Sequence, residues 1–395
     1  MIVMSLPGQP RSDRDRGPIR GGTMLQPNVK AISVDDHIIE PPHLWQSRLP
    51  AKYRDLGPRV VEIEDGTERW VFDDQVVRLN RGNSRTLPGY DSDPFSVQRF
   101  SEMRPGCYDP KARLDDMDLD GVWAQVAFPD FSRFAGHRFI DCKDQTLANL
   151  CIAAYNDFVL DEWTYTCPDR LIPLGLVALW DVDFSAAEVR RLAARGARAI
   201  AFSENPTSLG LPSVYTDHWE PLWDAVGETG LAVCLHIGSS SKLIRSSEDA
   251  PACTQLSYVG SNSMIACTDW LFSGILERHP SIRVAFSEGG AGWVPYLLEQ
   301  AEHVFAAYRD QQLISRRPPT ELFAEHMYVC FIQDHHALAS VGSIGEDNIM
   351  WESDYPHDSG VFPDSRRQLE IALRELPDHV AAKIAGDNAR QVFGI

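Results

Sequence analysis

Eight short apolar runs, separated by longer amphipathic segments, constrain the fold of this chain more than any other sequence feature. The runs are Val29–Val34, Val122–Phe128, Leu171–Leu179, Ala197–Phe202, Leu231–Ile237, Ile282–Phe286, Met327–Ile332 and Ile349–Trp351. Apolar runs without polar alternation are typical of strands that are buried on both faces of a parallel sheet. The runs therefore predict eight buried parallel strands.

The segments between the later runs carry apolar residues at helical spacing. Predicted helices cover Asp144–Trp163, Ser185–Arg195, His218–Gly230, Ser263–His279, Trp293–Arg309, Asp364–Leu376 and Asp378–Phe393. Eight strands that alternate with helices favour the α/β class and, within it, a closed (β/α)8 TIM barrel. A doubly wound open sheet is the alternative, but no Gly-x-Gly-x-x-Gly motif follows the first run.

The N-terminal residues 1–25 differ in composition from the rest of the chain. They are polar, rich in Arg, Asp, Gly and Pro, and lack the apolar core of a secretory signal. This composition predicts a disordered extension. The barrel domain is expected to cover residues 26–395.

An insertion over about residues 41–121 separates the first two runs and is too long for a simple strand–helix connection. Within it, Arg59–Ile63 and Arg69–Phe72, joined through Glu64-Asp65-Gly66, predict a β-hairpin, and Arg81–Pro94 predicts a loop. Loops that follow barrel strands surround the active site. We therefore expect the insertion to form a cap over the barrel mouth.

Charge and cysteine content exclude several classes of protein. The formal net charge is −19, which repels phosphate backbones and argues against a nucleic-acid partner. No apolar run has the length that a bilayer requires, so no membrane association is expected. The eight cysteines form no C-x-x-C pair, and several lie in apolar runs. They predict reduced thiols and a cytoplasmic location.

Ionisable residues stand at the carboxyl end of the first run, where Asp35, Asp36 and His37 follow Val34. Residues two apart in a strand point to the same face, so Asp35 and His37 are expected to project together while Asp36 faces away. Carboxylate and imidazole groups are rarely buried unless they are paired or bound to a metal. This pair is a candidate half of a metal site.

Further ionisable residues end three of the later runs. His236 ends the fifth run, Glu288 follows the sixth, and Asp354 and His357 follow the eighth. The carboxyl ends of parallel strands meet at one mouth of a barrel. These groups are therefore expected to converge with the first pair on one divalent cation that is held by nitrogen and oxygen ligands.

Five stretches of the chain give it the appearance of a known family. They are Ile32–His37 with Glu40-Pro41-Pro42, Leu114–Gly121, Leu276–Pro280, Ser353–His357 and Lys383–Gly394. In these stretches the chain resembles the amidohydrolase-related family typified by aminocarboxymuconate-semialdehyde decarboxylase and the resorcylate-type aromatic-acid decarboxylases. The resemblance runs from about Lys30 to Ile395 and implies a homodimer with one divalent metal per chain, usually zinc and sometimes manganese.

The resemblance also implies roles for individual residues. Asp35 and His37 match the ligand pair of the first strand, His236 matches the ligand of the fifth, and Asp354 matches an aspartate that approaches the metal and handles protons. Glu288 departs from the pattern, because the family's decarboxylases usually have a His there. Glu288 is then a metal ligand, a general base or a partner that orients a ligating His, and the sequence leaves these roles open.

The resemblance implies, as the preferred function, metal-assisted non-oxidative decarboxylation of an aromatic or unsaturated carboxylic acid, a small-molecule substrate. Asp354 or His357 would deliver a proton to the carbon that loses CO₂. Lys242 and Arg245 either bind the substrate carboxylate or are solvated loop charges. Two alternatives remain open: hydrolysis of a C–N or C–C bond, with Asp354 or Glu288 as the base, and a non-catalytic binding barrel.

Overall fold

The structure, a computed structural model, describes residues 25–79, 99–309, 314–357 and 359–395. The predicted disordered extension, apart from Leu25, and the predicted loop Arg81–Pro94 lie outside the described residues. Within them, no helix has both the length and the apolar character needed to cross a membrane.

The strands alternate with helices along most of the chain. They are β1 (Ile32–Ile38), β2 (Arg59–Glu62), β3 (Glu68–Phe72), β4 (Gln75–Arg78), β5 (Ala124–Pro129), β6 (Leu171–Ile172), β7 (Leu174–Leu176), β8 (Ala199–Ser203), β9 (Ala232–His236), β10 (Val284–Ser287), β11 (Met327–Phe331) and β12 (Ile349–Trp351). Each of the eight apolar runs overlaps a strand, or in one case two, and every residue of those strands is buried. The burial explains why the runs are continuous rather than alternating.

The α-helices cover the sequence between the strands. They are α1 (His43–Arg48), α2 (Ala51–Arg54), α3 (Pro110–Asp120), α4 (Gln145–Phe158), α5 (Val182–Ala194), α6 (Glu220–Thr229), α7 (Ala252–Ser257), α8 (Ser261–Phe272), α9 (Ile275–Arg278), α10 (Val294–Tyr308), α11 (Pro319–His326), α12 (His335–Ala339), α13 (Val341–Ile344), α14 (Ser365–Leu373), α15 (Asp378–Ala382) and α16 (Asn388–Phe393). The predicted single helix Ser263–His279 is wrong: Gly274, at a φ of 73°, separates α8 from α9 because its left-handed conformation ends a helix.

Two parallel sheets make up the barrel wall. One has the order β1-β5-β6 and the other β7-β8-β9-β10-β11-β12. Only Pro173 separates β6 from β7, and proline has no N–H to donate to a strand ladder. We therefore treat β6 and β7 as one interrupted strand that pairs with β5 on one side and with β8 on the other.

Hydrogen bonds between β1 and the segment after β12 join the two remaining edges. Asp354 N donates to Asp35 O at 2.9 Å, and His37 N donates to Tyr355 O at 2.7 Å. The eight strands thereby form a closed ring, and the predicted (β/α)8 barrel is confirmed. We call this junction the β1–β12 seam.

The insertion after β1 contains a small antiparallel sheet of β2, β3 and β4. β2 and β3 are the strands of the predicted hairpin, with bounds that differ by one residue, and β4 is an additional strand. Trp70 of β3 packs against Phe131, which follows β5, with ring centroids 4.5 Å apart. This contact attaches the small sheet to a loop at the carboxyl ends of the barrel strands.

Candidate metal centre

β1 carries the first two candidate ligands, Asp35 and His37, and both side chains are fully buried. The strand continues to Ile38, so both residues lie within it rather than beyond its end. Its pairing with β5 is irregular between Ser33 and Asp36, which is the mark of a β-bulge. Bulges commonly redirect side chains near active sites. The Asp36 side chain faces away from the two ligands, as predicted, and bonds to Ser33 and Ser353.

The structure brings the candidate ligands of β1, β9 and the β12 end together. His236 Nε2 lies 3.2 Å from Asp35 Oδ2. His37 Nε2 lies 3.5 Å from Asp35 Oδ1 and 3.1 Å from Asp354 Oδ1. Single ligand atoms from Asp35, His37 and His236 lie within 4.8 Å of one another. Such spacing suits a metal ion that all of them contact.

The ring of His236 is oriented by its own backbone. Its Nδ1 donates to the carbonyl of Ile237 at 2.6 Å. A proton on Nδ1 leaves Nε2 with a free lone pair that faces Asp35. A hydrogen bond to the non-ligating nitrogen is the usual way in which proteins fix the tautomer of a metal-binding histidine.

Several buried polar atoms at this point have no hydrogen-bond partner among the described residues. They include both carboxylate oxygens of Asp35 and the Nε2 atoms of His37 and His236. A buried polar atom without a partner costs about 1–3 kcal/mol. A divalent cation would satisfy all four atoms at once, so the residues present fit the metal that the sequence predicts.

The electrostatics of the site also favour a cation. Burial, and then the charge of Asp354, raises the pKa of Asp35 well above its ordinary range. Burial, and then Asp35, does the same to the pKa of Glu352, and burial with Asp354 raises that of Glu288 to about 7. Burial and mutual repulsion both destabilise these carboxyl groups as anions, so that positive charge among them is favoured. A bound divalent ion would supply that charge.

His357 is the positive group that faces the site. Its Nδ1 lies 2.9 Å from Asp354 Oδ1. Burial alone lowers the pKa of His357, but Asp354 and Glu288 raise it to about 10. Conversely, burial raises the pKa of Asp354, but His357 and His37 hold it below its ordinary value. Asp354 and His357 are thus a carboxylate–imidazolium pair beside the candidate ligands.

Glu288 lies at the solvent side of the cluster, with a side chain that is 23% exposed. Its Oε2 is 3.7 Å from His236 Nε2, and its Oε1 is 3.4 Å from Ser359 Oγ. Ser359 Oγ also bonds to Asp354 Oδ2. Glu288 and Asp354 both have positive φ, 58° and 56°. For residues other than glycine this conformation is strained, and such strain is concentrated at functional sites.

Sequence reasoning missed two groups next to the ligands. The ring of Phe134, in the loop after β5, lies 3.9 Å from that of His236 and covers it. Glu204 follows β8; its Oε1 accepts from Gly238 N at 2.8 Å, and its Oε2 is buried without a partner among the described residues. Glu204 follows the fourth apolar run in the same way as Glu288 follows the sixth. An ionisable residue after an apolar run could therefore have indicated Glu204 as well. An aromatic residue in a loop gives no such signal.

For Lys242 and Arg245 the sequence left two roles open, carboxylate binding and solvated loop charge. Both are exposed, and Arg245 Nη2 donates to the carbonyl of Ala250 at 3.2 Å. Their interpretation as solvated loop charges therefore agrees with the geometry.

Comparisons with known proteins agree with the barrel. A curated relative, 2-amino-3-carboxymuconate-6-semialdehyde decarboxylase of Dictyostelium discoideum, is 24% identical over 303 residues, or 75% of this chain and 79% of the relative. Among solved structures, an amidohydrolase of Mycobacterium avium subsp. paratuberculosis K-10 is similar with a TM-score of 0.74 and 21% identity, over 93% of this chain and all of that one.

A second solved structure is 5-carboxyvanillate decarboxylase of Novosphingobium aromaticivorans with bound manganese and 3-methoxy-4-hydroxy-5-nitrobenzoic acid. It has a TM-score of 0.67 and 18% identity, over 93% of this chain and 98% of that one. The barrel and its site define an α/β-barrel enzyme of the metal-dependent kind. The family model described as amidohydrolase matches residues 43–395. The chain belongs to the amidohydrolase family.

Proposed function

We propose that this protein is a metal-dependent, non-oxidative decarboxylase of an aromatic or unsaturated carboxylic acid. One observation carries the proposal: Asp35, His37 and His236 converge at the barrel mouth beside Asp354, and the buried ligand atoms of the first three have no hydrogen-bond partner among the described residues. The curated relative and the manganese-containing structure are both decarboxylases of small carboxylic acids by name. They support the choice of this reaction within the family.

The four converging residues would hold the metal, and Glu288 is a fifth candidate at the solvent side. When bound, the divalent ion would supply positive charge that stabilises the negative charge left on the substrate as CO₂ departs. Asp35 and His37 would hold it from one side of the β1–β12 seam and Asp354 from the other. The covering Phe134 ring would exclude water from the reacting carbon.

His357 and Asp354 would supply the proton that replaces CO₂. The carbon–carboxylate bond breaks, CO₂ leaves, and the carbon takes one proton, so that no oxidant or reductant is needed. His357 holds a proton within 2.9 Å of Asp354 Oδ1, and that oxygen can pass it to the substrate carbon. Glu288, which is partly exposed and lies near Ser359, can return a proton from solvent.

Hydrolysis of a C–N or C–C bond is the second candidate function. Glu288 favours it, because a carboxyl group with a pKa raised to about 7, at 3.7 Å from His236, is placed to remove a proton from a water molecule. A third possibility, a binding barrel without catalysis, does not explain why so many buried ligand atoms lack a partner within the described ranges.

The test is an assay of purified, metal-loaded enzyme for CO₂ release from a panel of hydroxybenzoates and muconate-type acids. We expect release from at least one acid and none from the His236→Ala variant. Turnover of amides, esters or ring-cleavage products without CO₂ release would favour hydrolysis instead. Failure of all substrates together with less than stoichiometric metal would favour a binding barrel.

Zinc is our proposed metal, with manganese as the alternative that the Novosphingobium structure supports. His37 and His236 suit zinc, whereas Asp35 and Asp354 suit either ion. Elemental analysis of protein purified without added metal decides between zinc and manganese.

We also propose a cytoplasmic location, because all eight cysteines are free thiols.

A homodimer and a capping role for the insertion complete the proposal. Helix α10 exposes Tyr296 (65%), Val304 and Tyr308 (52%) at helical spacing, an apolar stripe that a second copy could cover. Sedimentation of the wild type and of Val304→Asp tests the homodimer, and we expect a shift towards monomer in the variant.

Deletion of β2 to β4 tests the capping role of the insertion, and we expect the deletion to raise KM.

A further inference from the structure

Asp36 lies between the two ligand-bearing chain segments without facing the metal centre. Its Oδ1 accepts hydrogen bonds from Ser33 Oγ at 2.9 Å, from Ser353 Oγ at 2.5 Å and from Tyr355 N at 3.1 Å. The side chain is buried, with 1% exposure for the residue. One oxygen atom thus collects three donors.

These three donors belong to both sides of the β1–β12 seam. Ser33 is on β1, whereas Ser353 and Tyr355 flank the candidate ligand Asp354. Ser33 Oγ also accepts from Ser353 N at 2.8 Å. The hydrogen bonds of Asp36 therefore cross the junction at the level where Asp35 and Asp354 must face one cation.

The seam depends on such contacts more than the strand pairs from β7 to β12 do. From β7 to β12, each adjacent pair of strands is joined by regular parallel pairing over three or more residues. At the seam, the backbone contributes the bond from Asp354 N to Asp35 O and that from His37 N to Tyr355 O. Side chains must therefore fix how the two segments align.

Arg113 also stabilises the alignment of the two segments at the seam. Its guanidinium is buried and donates to the carbonyl of His37 at 2.6 Å and to Gln125 Oε1 at 3.0 Å. Asp36 and Arg113 line one small cavity behind the barrel wall, and Asp120 lines the same cavity. Asp36 is therefore held in a polar environment that it shares with Arg113.

We propose that Asp36 is a positioning residue for the metal centre: it aligns Asp35 and His37 with Asp354 across the seam, so that metal affinity depends on a side chain that does not touch the metal. The inference rests on the proposed metal centre. Without Asp36, the buried hydroxyls of Ser33 and Ser353 and the N–H of Tyr355 lose their shared acceptor. The segments can then shift, and ligands on opposite sides of the seam no longer meet one ion at the correct distances.

The test compares Asp36→Ala with Asp36→Asn by competition for Zn²⁺ against a chromophoric chelator. We expect the alanine variant to bind Zn²⁺ about 10- to 100-fold more weakly, the range found when a partner of a metal ligand is removed. The asparagine variant should keep the wild-type affinity, because its amide oxygen can accept the same three hydrogen bonds. Equal affinity of the alanine variant and the wild type, both folded by near-ultraviolet circular dichroism, would overturn the inference.

Asp120→Ala is the matched control. Asp120 is buried at the same cavity, and its Oδ1 accepts from Ser365 N at 2.7 Å, which ties α3 to α14 away from the ligands. We expect a loss of thermal stability with unchanged Zn²⁺ affinity. Weakened Zn²⁺ binding in this control, as large as in Asp36→Ala, would assign the effect to general destabilisation and count against the inference.

Two further measurements keep the result interpretable. If Asp36→Ala does not fold, Ser353→Ala is the alternative variant, because it removes one donor and leaves the Asp36 carboxylate in place. We expect Ser353→Ala also to bind Zn²⁺ more weakly than the wild type. An unchanged Zn²⁺ affinity would contradict the proposal. Failure of the wild type to bind Zn²⁺ or Mn²⁺ would overturn the metal centre itself and the inference with it. Binding that His236→Ala abolishes would establish the centre, so that the Asp36 variants judge the inference alone.

Discussion

The imidazole ring of His357 stacks on that of His37, with ring centroids 3.7 Å apart and an angle of 29° between the planes. Both rings also approach the same atom, Asp354 Oδ1, at 2.9 Å and 3.1 Å. Burial and the charge of His357 lower the pKa of His37, so His37 stays neutral and able to bind a metal while His357 carries the proton. Two adjacent histidines therefore have different protonation states and are suited to different roles.

The first prediction separates those roles. His357→Gln should lower turnover by about 10²- to 10⁴-fold, the usual contribution of a proton-transferring group, and should leave stoichiometric metal in place. Turnover number and metal content, measured on the same preparation, check it. His336→Gln, an exposed histidine of α12, is the control and should change neither. Loss of metal in His357→Gln would instead make His357 a ligand.

The second prediction concerns which histidines hold metal. His236→Ala should reduce bound metal below stoichiometry and abolish activity, because its buried Nε2 has no hydrogen-bond partner in the described part of the chain. Added Zn²⁺ should raise the melting temperature of the metal-free wild type, since a ligand that binds the folded state stabilises it. The same addition should leave His236→Ala unchanged.

The control for this experiment is His279→Ala. His279 forms a second cluster with Glu220 and Asp224 whose spacing could also suit a metal. Glu220 is already paired with Arg278 at 2.7 Å, and Asp224 is 62% exposed. We therefore expect unchanged metal content in His279→Ala. A drop of half the metal would show that the surface cluster binds an ion.

The third prediction distinguishes the possible roles of Glu288. Glu288→Gln removes the charge but keeps the size of the side chain. If Glu288 carries protons, turnover should fall about 10- to 100-fold, at or below the lower end of the range for proton transfer, with unchanged Zn²⁺ affinity. If Glu288 is a ligand, the affinity itself should fall. Parallel measurement of kcat and of chelator competition separates the two outcomes, and no change in either would leave Glu288 without a role.

The fourth prediction uses acid stability. Burial lowers the pKa of His137 to about 3, and neither ring nitrogen has a hydrogen-bond partner among the described residues. Below pH about 6.5, His137 is protonated in the unfolded chain but stays neutral in the folded chain. This difference lowers the free energy of unfolding as the pH falls from about 6.5 towards 3. Between pH 7 and 5 the loss should be about 2 kcal/mol.

Urea unfolding of the metal-free wild type and of His137→Phe at pH 7 and pH 5 measures this contribution. Phenylalanine has a similar shape and does not titrate. The difference in free energy of unfolding between the two proteins should therefore move in favour of the variant by about 2 kcal/mol at the lower pH. A difference that does not depend on pH would contradict the prediction.

Much of the site could be predicted from the sequence, because the architecture of a barrel fixes where each residue at the end of a strand lies. Strand ends of a barrel meet at one mouth, so His236 and Asp354 could be placed together although 118 positions separate their numbers. The rule also places Glu204, which was overlooked. It does not reach Phe134, whose position over His236 depends on the conformation of a loop.

The sequence by itself determined the eight buried strands, their alternation with helices and the identity of the converging side chains, because burial on both faces and the period of a strand are local properties. Only the tertiary structure decided how β1 meets the segment after β12. The bulge at Asp35 arises where β1 pairs with β5, and two of the three donors on Asp36 belong to Ser353 and Tyr355, more than 300 positions along the chain. No local pattern encodes such contacts, because they arise only when the barrel closes.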